Sequence, residues 1–161
     1  MEDIGKAVVT YCRERLLQEY LPKIKNCCDQ ISDEEIWWRT HETDNSIGNL
    51  LLHLSGNVRQ WIVAGVGGAA DTRERRREFS ERDRLPKAQL LDRLEATLKE
   101  ADVVLAGLDM SRLLERRHIQ VYDVTLLDAI LHVVEHFSQH VGQIIYITKL
   151  RRGIDLKFYN L

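Results

Sequence analysis

Three of the six histidines, His132, His136 and His140, follow one another at intervals of four residues in LHVVEHFSQHVGQ. On an α-helix each step of four turns the side chain by only about 40°. The three imidazoles therefore project along one narrow stripe, to which Gln143 returns. The stripe borders an apolar face and looks toward a protein interior, where ring nitrogens must be hydrogen-bonded or coordinated. A further histidine, His53, sits between Leu52 and Leu54 in NLLLHLSGN, four residues before Asn57. Alone it reads as a satisfied core residue. Beside an HxxxH pair on a packed neighbouring helix it reads as a third nitrogen ligand. Three neutral imidazoles suit one divalent ion, Zn²⁺ first and Ni²⁺ or Fe²⁺ as the other choices. They also leave coordination positions open, where a closed structural site would usually need a fourth protein ligand.

The letters His132 to His136 also spell HxxEH, the inverted zinc-peptidase pattern with Glu135 as general base. That chemistry needs a third ligand, often a carboxylate well downstream. Only about twenty residues follow His140, and Asp155 is their sole side-chain carboxylate. There is no room for a peptide-binding sheet, so the peptidase reading is set aside.

Four segments of helical periodicity must position these residues. The first runs from about Asp3 to Gln30 on Ile4, Val8, Tyr11, Leu17, Leu21, Ile24 and Cys28, with one six-residue step, and Pro22 should kink or break it near Leu21. After the polar SDEEIWWRTHETDN, Asn45 or Ser46 caps a second helix with Ile47, Leu50, Leu51, Leu54, Val58, Trp61 and Ile62 as its buried stripe. This helix ends near Gly65, Gly67 and Gly68. The run DTRERRREFSERDR (71–84), eleven charges in fourteen residues, reads as a solvated loop or exposed helical turn. Pro86 opens a third helix that carries Leu90, Leu94, Leu98, Ala101 and Leu105 to Leu108. A linker containing RRHIQVYDVT leads to Thr125, the cap of a fourth helix that runs to about Arg151 and stops at Gly153. Its apolar set is Leu127, Ile130, Leu131, Val134, Phe137, Val141, Ile144 and Ile145. The expected fold is all-α, a four-helix bundle with linkers long enough for crossover connections.

At 161 residues, 44% hydrophobic and 30% charged, the chain suits one soluble domain spanning 1–161. A net charge of −2 makes nucleic acid a poor partner, and no apolar run reaches the roughly 18–20 residues a membrane-spanning helix needs. MEDIGKAVVT shows no signal-peptide pattern, and Cys12, Cys27 and Cys28 do not form a disulfide framework. A cytoplasmic location is expected.

HFSQHVGQI resembles the HxxxHxGQ signature of the DinB/YfiT-like metalloenzyme superfamily, and IWWRTHETDNSIGNLLLHLSGNVRQWI resembles the upstream half of the same pattern. The two motifs together, in this order and separation, are fairly specific, and the resemblance covers most of the chain. It implies a four-helix bundle, commonly dimeric, with His53, His136 and His140 as metal ligands. On that register His132 neighbours the site, and Gln143 and Asn57 are candidates for orienting it. The activities implied are thiol S-transfer, with a low-molecular-weight thiol as partner, or metal-dependent hydrolysis. Trp37, Trp38 and Trp61 add apolar surface for a homodimer to cover. Tyr122, Asn57, Gln143 and Trp61 could form a substrate cluster. The leading reading is a metal-dependent enzyme. The alternatives are a non-catalytic stress-related binding protein whose metal is structural or incidental, and a metal-free helical protein whose histidines hydrogen-bond across the core.

Overall fold

The computed structural model describes residues 4–82 and 85–159; Asp3, Asp83 and Arg84 lie outside the described residues. The chain is mostly helical, with α1 (Ile4–Glu14), α2 (Leu21–Asp29), α3 (Ile47–Val58), α4 (Arg75–Ser80), α5 (Lys87–Ala106) and α6 (Leu126–Arg152). The expected all-α chain gains a β-hairpin, because the linker before α6 pairs β1 (Arg116–Ile119) with β2 (Tyr122–Thr125) antiparallel. Gln120 turns the corner at φ 58°, and the β-branched Ile119, Val124 and Thr125 suit strands better than a coil. Among the described residues, no helix is long and apolar enough to cross a membrane.

The first helix does not break at Pro22, since helical turns follow one another without a gap from Ile4 to Asp29. Residues Arg15–Tyr20 between α1 and α2 form a π-helical stretch, with the Leu21 N–H bonded back to the Leu16 carbonyl. A proline ring collides with the carbonyl four residues before it, and the wider turn supplies the needed space. The wider turn also shifts the buried stripe. Val9, Cys12, Leu16, Tyr20 and Ile24 are buried, whereas Ile4 and Tyr11 are 79% and 56% exposed. The expected set bridged this stretch with a six-residue step and so chose the wrong face of α1.

The second helix is buried at every residue from Ile47 to Val58, which makes it the central element of the core. It starts with a capping box in which Ser46 and Asn49 satisfy each other's backbone N–H groups, and it continues as a second π-helical stretch, Arg59–Val66. α5 buries Leu90, Leu94, Leu98, Ala101 and Leu105 as its spacing predicts.

α6 opens with the Thr125 and Asp128 capping box and ends on Gly153 in the left-handed region, φ 63°. Its buried residues are Leu126, Ala129, Ile130, Val133, Phe137, Val141, Ile144 and Thr148, while Leu131 is exposed and Leu127, Val134 and Ile145 are half-buried. The observed face is turned by roughly 60° from the expected one, toward the histidine stripe. The expected set missed this rotation because it left out the apolar Leu126, Ala129 and Val133, which lie on the histidine side of the face.

Two further expectations change. Trp37 and Trp61 are buried, and the Trp37 indole donates to the Leu85 carbonyl at 3.1 Å; they belong to this chain's own core and are not spare surface. The 71–84 charge run forms the expected exposed helical turn, α4, but Glu78 within it is buried.

The shifted register in α1 has a direct consequence for stability. Leu16→Ala should cost about 2–5 kcal/mol by urea denaturation, and Ile4→Ala should stay within about 0.5 kcal/mol. Equal losses at the two positions would mean the π-helical stretch does not set the core.

Candidate metal centre

α3 and α6 run in opposite directions against each other. His53 meets His136 and His140, and eight residues further along the second helix the Trp61 ring packs at a tilt of 38° against His132, with centroids 4.2 Å apart. The three imidazoles His53, His136 and His140 form the one group found among the described residues that could hold a metal ion, with one ligand atom from each lying within 4.8 Å of the others. The Nε2 atom of His136 lies 3.0 Å from that of His53 and 3.1 Å from that of His140. Two nitrogens bound tetrahedrally to one ion at about 2.0–2.1 Å stand roughly 3.4 Å apart, so small movements would bring His136 to that spacing from each of its two neighbours.

The outer nitrogens decide which way the inner ones face. His53 Nδ1 lies 2.9 Å from Glu78 Oε2, and a carboxylate only accepts, so the ring donates there and its Nε2 carries a lone pair. Arg73 Nη2 lies 3.1 Å from the same ring nitrogen, but it donates to Glu78 Oε2 at 2.8 Å. Burial works against charge on Glu78, yet hydrogen bonds from Arg73 and His53 outweigh it and hold the carboxyl below its usual range. His140 Nδ1 donates to Gln143 Oε1 at 2.7 Å, which likewise frees its Nε2. Two lone pairs thus converge on the His136 nitrogen, which has at most one proton to share between them. A cation satisfies all three nitrogens at once.

Burial, then the neighbouring His140 and His53 rings, push His136 down to about 3. Burial also pushes His140 and His132 down, with the Gln143 bond opposing the shift at His140. Neutral imidazole is the form that ligates metal, so His136 and His140 are in their binding form at neutral pH.

Three buried polar atoms near this stripe have no hydrogen-bond partner: Asn57 Oδ1, Trp61 Nε1 and His136 Nδ1. A His136 that coordinates through Nε2 keeps its proton on Nδ1, where an acceptor is wanted. His132 lies beside the group, its ring 5.6 Å centroid-to-centroid from His136, and is not part of it. Tyr122 stands beside Trp61 at 6.3 Å. Of the expected substrate cluster, Asn57 and Trp61 are buried while Tyr122 and Gln143 are exposed.

Sequence reasoning missed Glu78 and Arg73. Their segment reads as uniformly charged, and the one available signal was Phe79, an apolar residue in the middle of it, whose ring lies 4.6 Å from that of His53. The three cysteines are free and buried. Burial pushes Cys28 up to about 12 and raises Cys12 and Cys27 as well. None of the three thiols offers a thiolate at neutral pH.

A family model described as "Protein of unknown function (DUF1572)" matches residues 3–160. No curated protein matches the chain.

The depressed histidines give the metal-free protein a defined pH response. Unfolded histidines titrate near ~6.5, so below that value the unfolded chain takes up protons that native His136 and His140 refuse. Stability should therefore fall as pH drops from about 6.5 toward the native values and be unaffected by these groups above it. Urea denaturation of chelator-treated protein at pH 7.5 and 5 should show this loss, reduced in His136→Gln. An equal loss in that variant would place the titrating groups elsewhere.

Proposed function

The chain belongs to the DUF1572 family, and we propose that it is a DinB-like four-helix-bundle metalloenzyme using one divalent ion, Zn²⁺ first, at His53, His136 and His140. The observation that carries this reading is the convergence of three Nε2 atoms, two of them turned inward by Glu78 and Gln143.

Such an ion supplies Lewis acidity, favouring the deprotonated form of a water or small thiol at neutral pH. The residues of the chain supply the rest. Glu78 and Arg73 neutralise each other as a buried pair, and the three ligands are neutral imidazoles, so nothing in this set cancels the ion's charge. A centre of this kind favours an anionic outside ligand. The chain's own thiols are protonated, so a nucleophilic thiol has to come from solution, as a low-molecular-weight thiol. Thiol S-transfer and hydrolysis are the two reaction classes that fit. The alternative, a binding protein with a structural or incidental metal, predicts the same ion without turnover.

A second copy of the chain is part of the proposal. With Trp37 and Trp61 buried, its support is exposed apolar surface at Leu114, Val121, Tyr122 and Leu131, and light scattering should give about twice the 18.8 kDa chain mass. A monomer mass at all micromolar concentrations would remove this part.

Protein purified without affinity resin should contain one divalent ion per chain by elemental analysis. His53→Ala, His136→Ala and His140→Ala should each lose it, and His132→Ala should retain it. Stripping the metal should abolish transfer of a small thiol to an electrophile or hydrolysis of an activated ester, and added Zn²⁺ should restore it. Full metal content in His53→Ala would disprove the two-helix centre, and a loaded protein inert in both assays would favour the binding protein.

A further inference from the structure

The Arg/Glu-rich segment between the second helix and α5 has no role in the reading above beyond its contact with His53. Its charges divide sharply. Arg75, Arg76 and Arg77 are exposed, whereas the side chains of Arg73 and Glu78 are only 4% and 8% exposed. Arg73 grips Glu78 with two parallel bonds, Nε to Oε1 at 2.7 Å and Nη2 to Oε2 at 2.8 Å. Glu78 then takes the His53 Nδ1–H at 2.9 Å, and its backbone carbonyl accepts from Asn49 Nδ2 at 2.9 Å. Gln60 ties down the start of the segment, its Nε2 donating to Asp71 Oδ2 at 2.7 Å and its Oε1 accepting from Arg73 Nη1 at 2.9 Å, and the Phe79 ring lies 4.6 Å from that of His53. Together with Leu52, Ser55 and Thr97 from the helices beneath, the segment lines a partly open pocket of about 360 Å³.

The second helix is built to admit this carboxylate. A Cβ on Gly56 would collide with Glu78 Oε1 and stand 2.8 Å from its Cδ. Ala is about 1 kcal/mol better than Gly inside a helix, so the glycine serves the approach of Glu78 and not the helix.

We propose that Glu78, clamped by Arg73, is the positioning residue for His53, and that loading of the histidine centre tightens the docking of α4 onto the second helix through this side chain. The inference rests on the three-histidine metal reading. To ligate, His53 must keep its proton on Nδ1 and its lone pair on Nε2, and the carboxylate fixes both the tautomer and the ring's rotation. Withdrawal of electrons at Nε2 makes the Nδ1–H a stronger donor to Glu78. Metal binding and segment docking therefore strengthen each other, and the coupling is reciprocal.

The test measures Zn²⁺ affinity by chelator competition in the wild type, Glu78→Gln and Gly56→Ala, alongside the rate of tryptic cleavage at Arg75 to Arg77 with and without Zn²⁺. Both variants should bind Zn²⁺ about 10–100-fold more weakly. Zn²⁺ should slow cleavage of the wild type and leave that of Glu78→Gln unchanged, a metal dependence that a merely structural role for Glu78 would not produce. Circular dichroism checks that each variant is folded. If Glu78→Gln is not, with Arg73 left unpaired inside, Gly56→Ala carries the comparison because it displaces the carboxylate without removing it. Wild-type affinity in the folded variants, or tryptic cleavage of the wild type indifferent to Zn²⁺, overturns the proposal. A wild type that takes up no Zn²⁺ overturns the three-histidine reading and this inference with it.

Discussion

Three ring nitrogens meeting at 3.0 and 3.1 Å in a partly buried place are the constraint on which the rest of the structure depends. Neutral imidazoles each carry one donor and one acceptor, and a cluster of three can satisfy itself only if the outer nitrogens find partners that fix every tautomer. Here two outer nitrogens have them, in Glu78 and Gln143, and the third, His136 Nδ1, has none. Both partners turn lone pairs toward the centre, an arrangement that is poor for hydrogen bonds among the rings themselves and good for a cation.

The surrounding elements follow from holding that cluster. His53 needs a helix that cannot roll, and α3, buried at every residue and capped at both the side-chain and backbone level by Ser46 and Asn49, is such a helix. His136 and His140 need a long straight face opposite it, and α6 supplies twenty-seven residues with its core face turned toward the histidines. The ion pair of Arg73 and Glu78 is the costly part. A buried pair of charges often contributes little net stability compared with apolar residues of similar size, so its presence against His53 is better explained by orientation than by folding energy.

Much of this was legible in the sequence wherever a local rule was enough. The HxxxH spacing, the lone His53 among leucines, the Thr125 cap, the Gly153 stop and the α5 stripe all depend on residues within a turn or two of each other. The structure brings together the same three histidines that the pattern suggests and leaves His132 beside them. What was not legible depended on distant partners. Glu78 is one acid in a run of charges, and only the approach of Gly56 and Arg73 distinguishes it from Glu74 or Glu81. The exposed Tyr11 and buried Cys12 follow from a widened turn that no hydrophobic count reveals. The hairpin before α6 was hidden because one short pair of strands lacks the repeated turn signals that mark a β-protein.

In the proposed centre three imidazole nitrogens, and no sulfur, hold one metal with at least one position left for an outside ligand. X-ray absorption at the metal edge of the Zn²⁺-loaded protein distinguishes these donors. It should show three imidazole rings, recognisable by their outer-shell scattering, at about 2.0–2.1 Å, together with one or two further light atoms from solvent. A sulfur shell near ~2.3 Å, or fewer than three imidazoles, would contradict this centre.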